Sequence, residues 1–306
     1  MPLIYSIIAP LIIISSVAVY QGEAFTAIET AQLLQNCMLI AGIGTLLQLY
    51  PIWKIGSGLP VVMGISFTFL AACLATASQD YGIMVGAIIV GGCFEGVLGL
   101  TAKYWRKIIS PIVSACVVVS IGLSILNVGV SSFGSSSAYP LGSWQNLLVA
   151  TITLAAALSG GVFGCSPITS FSQNVGLISM THVVNLFTIM VGALAMILGG
   201  LFPPIGAFFT TLPNCVLGGC TVIMFGSIMM SGVRMMHDAG MDQRNTLIAA
   251  TSICLGVGVT QVDGFFNELP SFIGDIFAGN MVAGVFVVGL ILDLCLPRDP
   301  SHYTSM

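Results

Sequence analysis

The polar stretch from Ser166 to Thr181 concentrates the side chains of this chain that could do chemistry. It reads SPITSFSQNVGLISMT and contains a proline, six hydroxyl side chains and the adjacent amides of Gln173 and Asn174. Hydroxyl and amide groups are hydrogen-bond donors and acceptors. No nucleophile, metal-ligand set or cofactor motif accompanies them. The chemistry that we predict for this stretch is therefore recognition of a small molecule, without catalysis.

The rest of the chain is too apolar for a protein surrounded by water. Of its 306 residues, 57% are hydrophobic and 6% are charged, and the mean hydropathy is +1.06. A surface that faces water normally takes about 25% charged residues. The composition predicts a membrane protein, and its sparse basic side chains exclude a nucleic-acid partner. Most of the nine cysteines stand singly in apolar runs, which predicts buried hydrophobes and no metal site.

Apolar runs near the ~20 residues that cross a hydrocarbon core recur along the chain. They do not alternate as membrane barrel strands do, so we predict an all-α polytopic membrane protein. Ten apolar segments and the polar stretch at 165–182, a less conventional element, give a prediction of about 11 membrane elements. The apolar segments are predicted at about 2–20, 31–50, 58–77, 82–101, 108–130, 144–164, 183–201, 205–233, 245–262 and 272–296.

Basic residues predict the orientation of these segments, because cytoplasmic loops carry an excess of Lys and Arg. Lys54 and the KYWRK loop at 103–107 follow the second and fourth segments, and the Gly/Ser-rich loop at 131–143 falls outside. Arg234 and Arg244 flank another loop that the same rule places in the cytoplasm. Five predicted membrane elements separate the Arg234–Arg244 loop from the KYWRK loop. An odd number puts the two basic loops on opposite faces, so one element fails to span or the orientation is frustrated.

Two stretches share a pattern of Gly, Pro, Ser and Phe. The first strip is GSGLPVVMGISFTFL at 56–70, the second strip is GCSPITSFSQNVGL at 164–177, and a proline precedes Ser66 or Gln173 by six positions. Proline and glycine interrupt helices, which a bilayer tolerates only where the backbone is buried in protein or lines a cavity. Paired interruptions predict a transporter's substrate site. Two glycine-rich packing segments with accidental similarity are the alternative.

The second strip continues into QNVGLISMT, from Gln173 to Thr181, which resembles a family signature. The signature is that of the nucleobase-ascorbate transporters, also called the nucleobase:cation symporter-2 family: Gln or Glu, Asn, any residue, Gly, four variable residues and Thr. Further stretches resemble bacterial uracil-xanthine permeases, and together they cover essentially the whole chain. They read IGSGLPVVMGISFTF, GGLFPPIGAFFTTLP, VLGGCTVIMFGSIMMSGVR and RNTLIAATSICLGVGV.

The resemblance implies an inverted-repeat transporter fold in the inner (plasma) membrane. Such proteins have fourteen segments in two inverted repeats of seven, with short strands in two broken helices, and a core domain and a gate domain. On this chain the resemblance implies a core at 1–101 and 155–201 and a gate at 102–154 and 202–306. Substrate would lie between the two strips.

The resemblance also implies site residues. Those at the substrate are Gln173, Asn174, Ser172, Ser66 and Phe67. The primary amide of Gln173 presents one acceptor and two donors in a plane, which matches the edge of an oxopurine, and the ring of Phe67 would stack on the base. The alternatives are a Gln173 bonded only to backbone and a Phe67 that fills the core. Asn174 is expected mainly to hold its half-helix in place.

Two residues are predicted to support the site. Thr181 is expected to bond a backbone carbonyl of its own helix. Glu95 lies within the fourth segment, where an ionisable side chain is a functional candidate. It also lies on a glycine-rich surface, and we favour a structural or interfacial role in which it could pair with Lys103 or Arg106. Asp293, near a segment end, is expected to be solvated or capping.

An internal block of the family pattern is missing. The sixth segment passes directly into the end of the ninth, with the join near Leu154 to Ala156, so segments seven and eight are absent. In the family, the eighth segment carries a glutamate that clamps the base and is tied to proton coupling. Losing two segments and fusing two others removes three crossings, which accounts for the odd count. We expect 144–164 to form a poor or re-entrant span, or the downstream half to be strained.

These observations predict a secondary carrier. It would transport a purine nucleobase, xanthine or urate, by symport with a proton or another cation, without a cofactor and without enzyme activity. Its partners would be the nucleobase, the coupling cation and the lipid bilayer, with a homodimer left open. Glutamine at position 173 is similar to xanthine and urate carriers, whereas glutamate would indicate uracil. The alternatives are a uracil permease, a non-transporting remnant that binds or interacts in the membrane, and a membrane enzyme.

Overall fold

The computed structural model describes the chain as a set of membrane-sized helices. The residues described are 10–11, 14, 25–52, 56, 58, 62–64, 69, 73, 81–105, 108–136, 138–162, 186–262, 265–266, 274, 276–277 and 280–297. The helices bounded within these ranges are α1 (Ala27–Leu49), α2 (Tyr81–Trp105), α3 (Pro111–Ser124), α4 (Leu126–Gly134), α5 (Trp144–Val162), α6 (Leu186–Leu201), α7 (Pro203–Thr210), α8 (Asn214–Asp238), α9 (Gln243–Gln261) and α10 (Met281–Cys295).

The all-α polytopic prediction is confirmed. Within the described ranges, four helical stretches are long and apolar enough to cross a membrane: Ala27–Leu49, Gly82–Thr101, Pro111–Gly134 and Asn214–Asp238. A fifth span exists if α6 and α7, which meet at a bend of 95°, cross as one broken element. The short strands expected in the two broken helices fall mostly on residues outside these ranges and stay a prediction.

The predicted segment at 205–233 was wrong in its boundaries. The apolar run at 205–233 is two helices, because α7 ends at Thr210 and α8 begins at Asn214, with Pro213 between them. The bend of 95° between α6 and α7 is also caused by proline. Pro203 and Pro204 occupy the first positions of α7, where proline is tolerated because the first amides of a helix have no partner within it.

The start of α1 lies earlier than the apolar pattern predicted, because a polar cap extends the helix. The Oγ1 atom of Thr26 accepts a hydrogen bond from the Glu29 amide at 3.3 Å, and the Glu29 carboxylate accepts one from the Thr26 amide at 2.8 Å. This reciprocal capping box satisfies two amides that the first turn leaves unpaired. The helix therefore begins at Ala27 and not at position 31.

By internal packing the chain divides into two compact units. The first contains Met1–Met84 and Ile125–Ile228, and the second contains Val85–Ser124 and Met229–Met306. The predicted assignment of a core domain and a gate domain is a statement about moving parts, which a division into compact units does not test. That assignment stays a prediction.

In the first unit, α1 and α6 pack as an antiparallel pair at glycine contacts. Gly42 of α1 faces Ala193 and Ile197, whereas Gly200 of α6 faces the backbone of Gln35 and Leu39. A Cβ atom at Gly200 would lie 2.8 Å from the Gln35 carbonyl oxygen and 2.9 Å from the Leu39 nitrogen. Inside a bilayer the hydrophobic effect does not drive helices together, so their association depends on van der Waals packing. Small residues let the helices approach closely enough for that packing.

The Gly/Ser-rich loop of the first unit is folded onto the beginning of α5. The Nδ2 atom of Asn146, a residue 2% exposed, donates to the carbonyls of Gly134 at 3.0 Å and Pro140 at 3.2 Å. Its Oδ1 atom accepts from the Ser136 hydroxyl at 2.7 Å. Residues 131–134 are helical, so the predicted loop is shorter than the composition indicated. The predicted segment at 144–164 forms α5, a helix of 19 residues, and the expectation that it spans poorly stays a prediction.

The core of the second unit is formed by α3, α9, α10 and the end of α8. Its buried residues include Ile112, Val113, Cys116, Ile248 and Val285. Glycine again sets the distance between helices. A Cβ atom at Gly232 of α8 would lie 2.7 Å from the nitrogen of Val119, and one at Gly256 of α9 would lie 2.8 Å from the nitrogen of Val285.

Replacement of Gly200 by alanine should destabilise the first unit. The added Cβ would meet backbone atoms of α1, which cannot rotate away, so α1 and α6 must separate at a cost of about 1–3 kcal/mol. Thermal unfolding of the purified protein in detergent measures the effect. Gly226→Ala is the matched control, because no atom lies within 4 Å of a Cβ placed there. Equal melting temperatures for the two variants would contradict the glycine-contact account.

Candidate functional site

The first strip turns back toward α1 through two glycines in left-handed conformations. Gly56 has φ 98° and Gly58 has φ 69°. The Gly58 amide donates to the carbonyl of Gln48 at 3.0 Å, near the C-terminal end of α1. A side chain at Gly56 would collide with the carbonyl of Leu47. Residues with a Cβ rarely adopt this conformation, which explains the GSG sequence at the start of the strip.

The next described part of the first strip runs beside α1 without forming a helix. Residues 62–64 have no regular secondary structure. The Met63 amide donates to the Oγ1 atom of Thr45 at 2.9 Å, and this hydroxyl donates in turn to the Ala41 carbonyl at 2.7 Å. Thr45 is 0% exposed. An α1 side chain therefore pairs a backbone group that the interrupted strip leaves without a helical partner.

The helix that follows the second strip packs at this same end of α1. Val62 of the first strip forms a buried cluster with Ala41 of α1 and with Ala193 and Met196 of α6. The hydroxyl of Tyr50, which ends α1, donates to the sulfur of Met190 at 3.2 Å. The first strip thus packs against α6 between Ile189 and Met196. The second strip, which precedes α6 in the chain, lies outside the described residues.

Most of the predicted site residues lie outside the described residues. These are Ser66, Phe67, Ser172, Gln173, Asn174 and Thr181. Their convergence on a substrate stays a prediction. The structure contributes the anchoring of their neighbours, since Met63 lies three positions before Ser66, and Ile189, which packs on the Val62 cluster, lies eight positions after Thr181.

Glu95 is the predicted site residue that the structure describes. It lies in α2 and is exposed, and no atom lies within 4 Å of a Cβ placed at Gly92 or Gly96 beside it. No ion pair with Lys103 is present among the described residues, and Arg106 lies outside them. The glycine surface is therefore uncovered where it is described, and the supporting role of Glu95 stays a prediction.

The expectation that Asp293 is solvated or capping was wrong. Its side chain is 0% exposed and its Oδ1 atom lies 2.9 Å from Nη2 of Arg244, whose own side chain is 16% exposed. The guanidinium also donates to the backbone carbonyls of Asp293 at 2.7 Å and Leu296 at 3.3 Å. A signal in the sequence could have revealed the pair: a basic residue begins one apolar segment, and an acidic residue lies near the end of the next.

The Arg244–Asp293 pair joins the start of α9 to the end of α10 in the second unit. The loop before α9 is also fixed by polar bonds. Asp242 accepts from the Asn245 amide at 2.9 Å, and the Asn245 side chain donates to the Gly240 carbonyl at 2.9 Å. This cluster is structural, because every one of these contacts holds a helix end or a loop. No group of three metal-ligating side chains occurs in the described part of the chain.

Comparison with known proteins identifies the family. Residues 4–160 and 156–265 match the family model Xan_ur_permease, described as a permease family. The chain belongs to this permease family. The resemblance to the nucleobase:cation symporter-2 family is confirmed, and the protein is a multi-pass protein of the inner membrane with a small-molecule substrate. The two matched segments overlap at 156–160, next to the join predicted near Leu154 to Ala156.

Individual relatives are similar along almost their whole length. The chain is 26% identical to the xanthine permease XanQ of Escherichia coli K12, over 89% of this chain and 85% of the relative. It is 24% identical to the xanthine permease XanP of the same strain, over 94% and 89%. It is 27% identical to a xanthine permease of Bacillus subtilis 168, over 92% and 88%.

These alignments also show how much shorter the chain is than its relatives. The alignment with the Bacillus subtilis protein has 395 positions but uses 92% of the 306 residues of this chain. The difference, 395 less 92% of 306, leaves about 110 positions of the alignment without a residue of this chain. The chain is therefore shortened relative to its relatives, as predicted.

Removal of Asp293 should be strongly destabilising. Asp293→Ala leaves the largely buried Arg244 guanidinium without its counter-charge, which costs about 3–5 kcal/mol. The double variant Arg244→Met, Asp293→Leu should be less destabilised than Asp293→Ala, because neither charge is then stranded. The measurement is unfolding in detergent, with Asp238→Ala at the exposed end of α8 as the control. A double variant that loses as much stability as the sum of its single variants would rule out this coupling.

Proposed function

We propose that this permease is a secondary carrier of an oxopurine, xanthine or urate, driven by symport with protons. The observation that carries the proposal is the signature Gln173–Asn174–x–Gly176–x₄–Thr181 in a chain that belongs to the family. The names of the relatives, which describe them as xanthine permeases, support a purine substrate. The glutamine at position 173 favours an oxopurine over uracil.

Recognition would depend on few polar groups. The Gln173 amide would pair its acceptor and donors with the carbonyl and N–H edge of the base, and Phe67 would stack on its face. Ser66 would offer the backbone at the start of its half-helix, and Ser172 and Asn174 would complete and brace the pocket. The packing of Val62 against α6 supports this arrangement, because it places the first strip in contact with the helix that follows the second strip in the chain.

Transport would proceed by movement of the core domain against the gate domain around this site. The Arg244–Asp293 pair would keep α9 and α10 together as one rigid part. No covalent step is involved, so binding and conformational change account for the whole cycle.

A second candidate function is binding without transport. The observation that favours it is that about 110 positions of the alignment with the Bacillus subtilis permease have no residue of this chain, in line with the missing internal block. The resemblance places in that block the glutamate that clamps the base and is tied to proton coupling. A chain without it would keep the Gln173 half of the recognition site and could lose coupled uptake.

Uptake of radiolabelled xanthine tests the leading proposal. Cells that lack their own purine carriers and express this chain should accumulate xanthine above the empty-vector level. Gln173→Ala should reduce the initial rate by at least about tenfold, because the base loses its in-plane partner. Gln261→Ala, at the exposed end of α9, is the matched amide control and should transport as the parent does. Uptake of uracil in place of xanthine would refute purine selectivity.

The coupling ion is tested separately. If protons drive transport, a protonophore should lower xanthine accumulation to the concentration outside the cells, whereas removal of sodium should leave it unchanged. Loss of accumulation only in sodium-free medium would refute proton coupling and assign sodium. Xanthine binding to purified protein without any uptake by cells would favour the second candidate function.

A further inference from the structure

Thr45 is a fully buried residue near the C-terminal end of the apolar helix α1. Its Oγ1 atom donates its single proton to the carbonyl of Ala41, at 2.7 Å. A hydroxyl in a membrane helix commonly makes this bond to the carbonyl four positions earlier. The bond leaves the oxygen lone pairs of Thr45 free to accept a proton from elsewhere.

The second partner of Thr45 comes from the first strip. The Met63 amide donates to Oγ1 of Thr45 at 2.9 Å, and the Met63 carbonyl lies 3.3 Å from the same oxygen. Residues 62–64 are not helical, so this amide has no helical acceptor. Hydrocarbon offers no water to replace the bond, and the neighbouring Val62 is buried between α1 and α6.

The bond fixes the strip a few positions before the residues proposed to bind substrate. Met63 precedes Ser66 by three positions and Phe67 by four. The Gly58 bond to Gln48 fixes the beginning of the strip, five positions before Met63. The backbone that leads into the proposed site is thus attached to α1 at two points, of which Met63 lies nearer to the site.

We propose that Thr45 is a positioning residue of the permease, which sets the place of the first strip by accepting the Met63 N–H. The inference rests on the proposed function for its transport readout. In this role Thr45 does not contact the substrate itself. It acts through the backbone that would place Ser66 and Phe67 against the base.

The experiment compares three variants. Thr45→Val keeps the size of the side chain and removes the hydroxyl, whereas Thr45→Ser keeps the hydroxyl. Thr221→Val is the matched control, because Thr221 is also 0% exposed in the first unit and its hydroxyl donates to Gly218 of its own helix, at 3.0 Å. For the exchange measurement, all three variants are purified in detergent. For the uptake measurement, rates are compared at equal amounts of folded protein in the membrane.

Two readouts decide the proposal. Hydrogen–deuterium exchange of the peptide that covers 59–66 should be at least about tenfold faster in Thr45→Val than in the parent, and close to the parent in Thr45→Ser and Thr221→Val. The KM for xanthine uptake should rise about tenfold in Thr45→Val and recover to within about threefold in Thr45→Ser.

The outcomes separate this inference from the proposed function. If the parent takes up xanthine but Thr45→Val equals Thr221→Val in exchange and in KM, the positioning role is overturned. If the parent takes up no xanthine, the proposed function fails, and the exchange comparison still decides whether Thr45 holds the strip. Faster exchange in Thr45→Val with an unchanged KM would also overturn the positioning role, because the strip would then loosen without consequence.

Discussion

A backbone N–H inside a bilayer must find its acceptor within the protein, because hydrocarbon supplies none. Helices meet this constraint by themselves, which explains why the described part of the chain is so largely helical. The first strip does not, since its glycines and proline interrupt the helical pattern. Two of its described amides, those of Gly58 and Met63, are paired by α1 instead, at the Gln48 carbonyl and the Thr45 hydroxyl. The irregular backbone of the first strip thus depends on the particular helix beside it.

Glycines hold together the helix pair on which the strip packs. Val62 lies against α1 and α6, and Gly42 and Gly200 permit the close approach of these two helices. The antiparallel pair brings the end of α1, where the chain enters the first strip, close to the first half of α6. The second unit uses a different device at its helix ends, the buried pair of Arg244 and Asp293.

Much of this organisation could be predicted from the sequence. Hydropathy gave the apolar segments, and their errors have physical causes: the capping box of Thr26 moves the start of α1, and Pro213 divides the run at 205–233. The signature from Gln173 indicated the family, and the missing block was placed close to where the family match divides. Contacts between distant segments could not be predicted. Thr45 appeared as one hydroxyl in an apolar run, and Asp293 as one charge at a segment end, because a single sequence does not say which neighbour each one meets.

The central claim is that the two strips meet around a flat base at the end of the α1–α6 pair. The most direct test is an experimental structure of the purified protein with xanthine bound in a lipid nanodisc. The account predicts density for the ring between the strips, with its face on Phe67 and its polar edge on the amide of Gln173. A ring bound elsewhere, or Phe67 and Gln173 on separate surfaces of the protein, would contradict it.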